Sequence, residues 1–242
     1  MRLFEQTYAT PAENLACDEA LLEACDKGVS GTESGLLRFY ESARYHVVVG
    51  YGNRLATEVN LETTARLGIP VYRRASGGGT VLLGPGCLAY SLILPVGLAP
   101  ELGTVTDSNR WIMERNRQAL EHVLGREVGV RGHTDLAVGD RKFSGNAQRR
   151  RREAVLFHGT FLLAMDLGMV GACLRKPSME PDYRQGRDHQ EFVMNLNVPA
   201  VQVRQSMECF WGVNGTWTAL AEGEVERLVR ERYGNEAWQR RF

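Results

Sequence analysis

Most hydrophobic residues along the chain occur in short runs separated by polar and turn residues, a pattern that predicts more β-strands than helices. Apolar runs bounded by turn residues predict strands at 2–8, 36–40, 47–50, 71–73, 88–94, 155–157 and 160–164. A Gly139-Asp140 turn between the runs 136–138 and 141–143 predicts a hairpin. Strands that follow one another in this way are typical of a mixed or antiparallel sheet.

Apolar residues spaced three or four apart predict a smaller number of helices. The first follows Asn14, the expected N-cap, and continues through Leu22 and Cys25. Further helices are predicted at 61–67, 108–124, 168–175 and 223–233; the stretch before the last one is polar and predicts no element. Because strands and helices do not alternate strictly, the pattern predicts an α+β fold in which residues 1–242 form a single domain.

Composition narrows the function classes. Of 242 residues, 43% are hydrophobic and 24% are charged, with 29 basic and 29 acidic side chains. This balance gives no general attraction to nucleic acid or to a membrane surface. The five cysteines include no CxxC pair, which disfavours a zinc site or a disulfide framework. With no signal peptide and no apolar run long enough to cross a bilayer, we expect a cytoplasmic protein with reduced thiols.

A glycine triplet follows the predicted strand 71–73, in the segment Arg73-Arg74-Ala75-Ser76-Gly77-Gly78-Gly79-Thr80. Consecutive glycines let the backbone approach a ligand closely, and exposed backbone N–H groups bind phosphate or carboxylate oxygens. The two arginines are candidate anion ligands because a guanidinium fork suits phosphate. The segment matches neither the Walker loop nor the GxGxxG fingerprint, so a plain tight turn remains an alternative.

Lys142 ends the predicted hairpin and precedes Ser144-Gly145-Asn146-Ala147. A lysine directed into a cleft neutralises charge on an acyl carboxylate and an α-phosphate as an adenylate forms. The alternative is that Lys142 is a solvated surface lysine. Asp135 is a candidate ligand for Mg²⁺ or for a ligand hydroxyl, or a residue that caps a turn. His158-Gly159 leads into the next strand, and by itself the histidine receives no chemical role.

In their order and spacing, these motifs resemble those of the lipoate–protein ligase catalytic domain, in the superfamily of biotin/lipoate protein ligases and octanoyltransferases. Arg73 to Val81 is similar to the family's Arg-Arg-x-Ser/Thr-Gly-Gly-Gly signature. The segment 141–148 is similar to its lysine motif, and His158-Gly159-Thr160 to the strand that follows. The resemblance extends over nearly the whole chain.

The resemblance implies a class II synthetase-like fold around a curved mixed sheet packed with helices. It implies that lipoate or octanoate reacts with ATP and Mg²⁺ to an acyl-adenylate. A lysine of an apo lipoyl-domain protein, of the glycine-cleavage H type or the dehydrogenase E2 type, then takes the acyl group. Lys142 is expected to contact the carboxyl group and the α-phosphate. The other expected binding residues are Arg73, Arg74, Ser76, Gly77, Gly78, Gly79, Thr80, Val81, Asp135, Ser144, Gly145, Asn146, Ala147, His158 and Gly159.

The cysteines favour the ligase over the transferase within the superfamily. One transferase type carries its nucleophile in a Cys-Gly turn after the His-Gly strand, near 176–177 here, where Cys173 lies three residues earlier and is not followed by glycine. The other type carries a Cys-Phe-Glu run just before the lysine motif, and the stretch 128–133 contains no cysteine. Cys87 keeps a second hypothesis open, an ATP-independent octanoyl or lipoyl transferase, because it ends a loop in which family ligases usually have His-Asp.

Two further expectations concern relatives of the ligase. A catalytically silent subunit that binds lipoate or lipoyl domains is disfavoured by the intact Lys142, and biotin is disfavoured because the arginine-glycine repeat of biotin ligases is absent. Many ligases carry a C-terminal accessory domain. We expect none here, so that either a separate small subunit supplies it or the subfamily acts without it.

Overall fold

The computed structural model describes residues 1–177 and 179–242. The strands in these residues are β1 (Arg2–Phe4), β2 (Leu36–Glu41), β3 (His46–Val49), β4 (Val71–Arg73), β5 (Val81–Leu83), β6 (Cys87–Pro95), β7 (Gly129–Arg131), β8 (Asp135–Val138), β9 (Arg141–Arg150) and β10 (Ala154–Leu162). The α-helices are α1 (Pro11–Asp26), α2 (Leu55–Glu58), α3 (Leu61–Arg66), α4 (Val105–Leu124), α5 (Leu167–Cys173), α6 (His189–Phe192), α7 (Ala200–Phe210), α8 (Glu224–Leu228) and α9 (Glu236–Gln239). In these residues, no helix is long and apolar enough to cross a membrane.

Two sheets form the framework. The larger has the strand order β1-β2-β6-β10-β9-β8-β7, and the smaller has the order β4-β3-β5. The pairs β1–β2 and β3–β4 are parallel, and the other pairs are antiparallel. The predicted α+β fold with a mixed sheet is therefore confirmed.

Helix α1 begins earlier than the sequence pattern predicts. Its N-cap is Thr10, which forms a capping box with Glu13, and Pro11 occupies the first helical position. The expectation that Asn14 caps this helix is wrong. The Asn14 amide lies inside the first turn, donates to the carbonyls of Tyr8 and Thr10, and accepts from Arg38.

Other elements also differ from the sequence-based prediction. The two strands predicted at 155–157 and 160–164 are one strand, β10, because the ladder with β6 continues without interruption through His158 and Gly159. The predicted hairpin is confirmed, but its second strand extends to Arg150. Helix α7 was not predicted, and it packs against α4, with Val203 and Met207 fully buried.

The core has two parts, one for each face of the larger sheet. Helices α1 and α8 and the smaller sheet contribute to the first part, together with Leu36 and Ile93. Helices α4 and α7 contribute to the second part, together with Leu37 and Leu92. Neighbouring strand residues point to opposite faces, so the nearly continuous apolar runs of β2 and β6 supply both parts of the core.

Candidate active site

A cavity of about 910 Å³ lies between the smaller sheet, the β8–β9–β10 part of the larger sheet and the segment 179–184. Part of its wall is apolar: Leu15, Tyr40, Val48, Leu82, Leu83, Ala89, Leu162, Val170 and Leu174. The predicted site residues on its wall are Arg74, Gly78, Gly79, Thr80, Val81, Asp135, Lys142, Ser144, Gly145, Asn146, Ala147, His158 and Gly159. Polar residues from both sequence motifs thus share one cavity with a surface suited to an aliphatic chain.

The glycine-rich loop is held from within by Arg74. The Arg74 guanidinium donates to the carbonyl of Gly77 at 2.6 Å, to the carbonyl of Gly79 at 2.7 Å and to the Ser76 hydroxyl at 2.9 Å. Burial lowers the pKa of Arg74 to about 10. With these bonds made, Arg74 fixes the loop conformation at the cavity wall.

Arg73 does not line the cavity. Its guanidinium donates to the carbonyls of Gly50, Tyr51 and Asn53 at 2.7–3.0 Å and to that of Gln239 at 3.2 Å. Arg73 ends β4 and Arg74 follows it. Successive side chains of an extended backbone point to opposite sides, so the two arginines point in different directions. Arg73, Ser76 and Gly77 are not among the described residues that line the cavity. The expectation that they bind the ligand stays a prediction.

Lys142 and Asp135 form an ion pair on the cavity wall. The Lys142 Nζ lies 2.7 Å from the Asp135 Oδ1, and the two side chains are 25% and 14% exposed. The Tyr183 hydroxyl, from the segment 179–184, donates to the second Asp135 oxygen at 2.8 Å. Lys142 extends over Gly145, where an added Cβ would lie 2.8 Å from its amine. A glycine at this position thus makes room for the lysine head.

The proposed Mg²⁺ role of Asp135 stays a prediction. In the part of the chain that the structure describes, no cluster of three or more His, Cys, Asp or Glu side chains is arranged to hold a metal ion. Mg²⁺ in nucleotide-dependent enzymes is bound by one or two carboxylates together with substrate phosphates and water. As one carboxylate on the cavity wall, Asp135 fits that mode of binding beside substrate phosphates and water.

The two sequence motifs meet where the glycine-rich loop approaches β9. A Cβ built on Gly78 would lie 3.3 Å from the Ala147 Cβ and 4.0 Å from the Asn146 carbonyl oxygen. Residues 144–147 pair with β10, so that Asn146 is opposite Gly159 and Ala147 is opposite His158. The expectation of a joint site formed by both motifs agrees with this geometry.

Ser76, His158 and Asp18 form a series of contacting side chains behind the loop, called the relay below. Asp18 is not among the site residues predicted from the sequence. The His158 Nε2 lies 2.6 Å from the Ser76 hydroxyl, and its Nδ1 lies 3.6 Å from Asp18. Asp18 also accepts from Arg38 at 2.7 Å and from Ser91 at 2.7 Å. Burial opposes ionisation of Asp18, but these donors outweigh it and keep its pKa below the usual value. The signal in the sequence was an acidic residue on a helix face that is otherwise apolar.

The five cysteines are not among the described residues that line the cavity. Cys87 begins β6, is 2% exposed, and pairs with Leu162 across the ladder. Burial raises the pKa of Cys87 to about 12, and Cys17 and Cys173 are fully buried. Among the described residues that line the cavity, there is no cysteine. The preceding Leu82 and Leu83 belong to β5 and make this part of the wall apolar.

The cavity has an apolar wall and leads to the Lys142 ammonium and to the backbone of the glycine-rich loop. This arrangement suits an enzyme that acts on acyl groups. The chain belongs to the lipoyl protein ligase A/B catalytic domain family, whose family model matches residues 10–210. It is therefore an enzyme of the lipoate ligase and octanoyltransferase family, as the resemblance of the two motifs implies.

Both activities occur among its relatives. Octanoyltransferase LipM of Geobacillus kaustophilus is 27% identical over 273 residues, covering 98% of this chain and 96% of that protein. Lipoate-protein ligase A subunit 1 of Thermoplasma acidophilum is 26% identical, covering 98% of this chain and 94% of that protein.

Two similar solved structures carry the names of lipoate–protein ligases. A T. acidophilum protein with bound lipoic acid is 25% identical with a TM-score of 0.82, covering 99% of this chain and 98% of that one. A lipoate-protein ligase A bound with ATP is 26% identical with a TM-score of 0.83, with the same coverage.

Proposed function

We propose that the protein is an ATP-dependent lipoate–protein ligase that forms an acyl-adenylate and transfers the acyl group to a protein lysine. The observation that carries this proposal is the Lys142–Asp135 pair on the wall of a cavity that has no cysteine among its described lining residues. A cavity with a fixed cation, anion-binding backbone groups and no accessible thiol suits activation by a nucleotide better than a covalent thioester.

In the first step, a carboxylate oxygen of the acyl substrate attacks the α-phosphorus of ATP, and pyrophosphate leaves. Negative charge shifts from the attacking carboxylate to the oxygens of the α-phosphate and to the leaving pyrophosphate. The Lys142 ammonium stabilises this charge, because a cation held in place before the reaction needs no reorganisation. The backbone groups of Gly78 to Thr80, held by Arg74, line the other side. Asp135 is the carboxylate that would hold Mg²⁺ together with the ATP phosphates, where the ion would neutralise further phosphate charge.

In the second step, the amine of an acceptor lysine attacks the acyl carbon and AMP leaves. The acceptor is an apo lipoyl domain of the H type or the E2 type. Lipoate or octanoate supplies the acyl group, and the apolar wall formed by residues such as Leu83 and Leu174 takes the chain. Similarity to a relative named as subunit 1 of a ligase supports a separate small accessory subunit for this chain.

The test is to incubate the protein with lipoate, ATP, Mg²⁺ and an apo lipoyl domain, and to follow the mass of the acceptor. We expect an ATP-dependent mass gain equal to one lipoyl group. Lys142→Ala should abolish it, whereas Lys27→Ala, at the end of α1 and outside the cavity, should retain it. No ATP-dependent gain, even with an accessory subunit present, would refute the ligase.

The similarity to LipM favours a second candidate, an octanoyltransferase that needs no ATP. In that case a cysteine thiolate would attack an acyl thioester and release the carrier thiol. The cysteine closest to the altered loop, Cys87, is buried with a raised pKa, which opposes thiolate formation. A thioester on Cys87 after exposure to an octanoylated carrier without ATP, and loss of activity in Cys87→Ser, would establish this candidate.

A further inference from the structure

A chain of four polar side chains, three of them buried and the fourth, Asn146, half-buried, connects the end of α7 to the cavity wall. The Trp211 indole N–H donates to the Asn116 Oδ1 at 2.9 Å, and the Asn116 amide donates to the Tyr90 hydroxyl at 2.8 Å. The Tyr90 hydroxyl donates to the Asn146 Oδ1 at 2.6 Å, and the Asn146 amide donates to the Thr134 carbonyl at 2.7 Å. The chain thus spans helices α7 and α4 and strands β6 and β9.

The direction of every bond in this chain is fixed from one end. An indole nitrogen is a donor only, so Asn116 presents its oxygen to Trp211 and its amide N–H to Tyr90. The single hydroxyl hydrogen of Tyr90 is then directed to the Asn146 oxygen. In consequence, the Asn146 amide has one orientation, with its N–H group towards Thr134.

Burial makes each link costly to lose. Asn116 and Tyr90 are fully buried and Trp211 is 3% exposed, and a buried polar group that lacks a partner destabilises its position. Space for the last link comes from Gly159, where an added Cβ would lie 1.7 Å from the Asn146 Oδ1. The absence of a side chain at Gly159 therefore leaves room for the Asn146 amide oxygen.

The chain ends on the backbone that carries the ion pair. Thr134 and Asn146 exchange two hydrogen bonds, since the Thr134 hydroxyl also donates to the Asn146 carbonyl at 2.8 Å. The next residue, Asp135, holds the Lys142 amine at 2.7 Å. Of these two bonds, the one from the Asn146 amide depends on the orientation of its side chain, and it contacts the backbone immediately before Asp135.

We propose that Asn146 is a positioning residue, whose orientation Trp211 sets through Asn116 and Tyr90, and that this chain holds the Lys142–Asp135 pair in place. The sequence expectation made Asn146 a ligand-binding residue. Its side chain lines the cavity, but its amide bonds are directed to the core and to Thr134. Only the rate measurement that tests this inference rests on the proposed acyl activation.

The first test compares Tyr90→Phe with Tyr233→Phe. Tyr90→Phe removes one hydroxyl and keeps the ring, which stacks on Phe161 with centroids 4.9 Å apart. Tyr233→Phe removes an equally buried hydroxyl, which donates to Glu19 at 2.7 Å in the other part of the core. We expect kcat for adenylate formation to fall about tenfold in Tyr90→Phe with KM changed less than about twofold, since misplacement of a catalytic group by a fraction of an ångström has effects of this order. Tyr233→Phe should keep kcat.

The second test replaces Trp211, which lies at the other end of these hydrogen-bonded side chains. Trp211→Phe removes the first donor at a residue outside the cavity, and Trp217→Phe removes an indole that donates to Ser30 at 3.0 Å. We expect kcat to fall in Trp211→Phe and to persist in Trp217→Phe, although both variants lose buried volume.

A measurement on the free protein separates this inference from the proposed function. Amide hydrogen exchange in the segment 130–148 should be faster in Tyr90→Phe and Trp211→Phe than in either control, at matched stability. Unchanged exchange and unchanged kcat in both variants would overturn the inference. If the wild type forms no adenylate, the proposed function fails. Amide hydrogen exchange alone then decides whether the hydrogen-bonded side chains hold Thr134 and Asp135 in place.

Discussion

Gly78 lies against Ala147, so closely that a Cβ on the glycine would come within 3.3 Å of the alanine Cβ. These residues are 69 positions apart, and each belongs to one of the two motifs that the sequence offers as functional. Their contact places the glycine-rich loop beside the strand that carries Lys142. It follows that changes to either motif, or to the groups that hold them, should affect the same activity.

Gly145→Ala tests how Lys142 is placed. The added methyl would lie 2.8 Å from the lysine amine and 2.9 Å from its Cε. Because these atoms form the flexible end of a side chain, the lysine should move at small cost in stability, and kcat should fall about tenfold or more.

Gly97→Ala is the matched control, since nothing lies within 4 Å of a Cβ there, and its activity should match that of the wild type. Equal activity of Gly145→Ala would mean that the observed position of Lys142 is not the active one. Initial rates and thermal unfolding decide between these results.

Ser76→Ala tests the support of the glycine-rich loop. The variant leaves the Arg74 Nε and the His158 Nε2 without their shared partner. Loss of a buried hydrogen-bonding group should lower the free energy of unfolding by about 1–3 kcal/mol.

The loosened loop in Ser76→Ala should also raise KM for the acyl substrate. Urea unfolding and initial rates measure the two effects. Ser76→Thr, which keeps a hydroxyl, should recover both, and a failure of that rescue would argue against the relay.

Asp18→Asn tests the buried ion pair with Arg38. Removing one partner of such a pair costs about 3–5 kcal/mol. The pKa of Asp18 is lowered in the folded protein, so its stabilisation is present above the pKa of the unfolded chain, about 3.9. This stabilisation is lost as the pH falls through the folded value.

The wild type should therefore lose stability on acidification below about pH 4, and Asp18→Asn should show a smaller loss over the same range. Chemical unfolding between pH 7 and pH 3 measures the difference. Parallel curves for the two proteins would contradict this assignment.

Thiol labelling tests the assignment of the cysteines. Cys209 is exposed, whereas Cys87 is buried with a pKa raised to about 12. At pH 8, iodoacetamide should modify Cys209 first and leave Cys87 intact in the folded protein, because the thiolate is the reactive form. Peptide mass spectrometry identifies the labelled site. Rapid labelling of Cys87 that acyl substrate prevents would favour the transferase.

The sequence was most informative where the site depends on neighbours along the chain. The glycine triplet and the lysine motif are local patterns, and Gly78, Gly79 and Lys142 line one cavity. Their roles in binding and catalysis stay predictions. The direction of Arg73 was not predictable from its position beside Arg74, because contacts with Gly50 and Gln239 determine it.

The relay and the polar chain were not predictable for a related reason. Asp18 and His158 are 140 residues apart, and Tyr90 and Asn146 are 56 apart, so only the folded sheet brings them together. His158 and Gly159 interrupt the apolar pattern of β10, so the sequence predicts two strands where the structure has one. In the structure, His158 contacts the Ser76 hydroxyl, and Gly159 leaves room for the Asn146 amide.

The central claim is that the protein activates its acyl substrate with ATP. The most direct measurement is exchange of labelled pyrophosphate into ATP without any acceptor protein. Exchange should require lipoate or octanoate together with Mg²⁺, should be lost in Lys142→Ala, and should persist in Cys87→Ser and Lys27→Ala. Absence of exchange with all substrates and an accessory subunit present, together with an ATP-independent acyl thioester on the protein, would contradict the account.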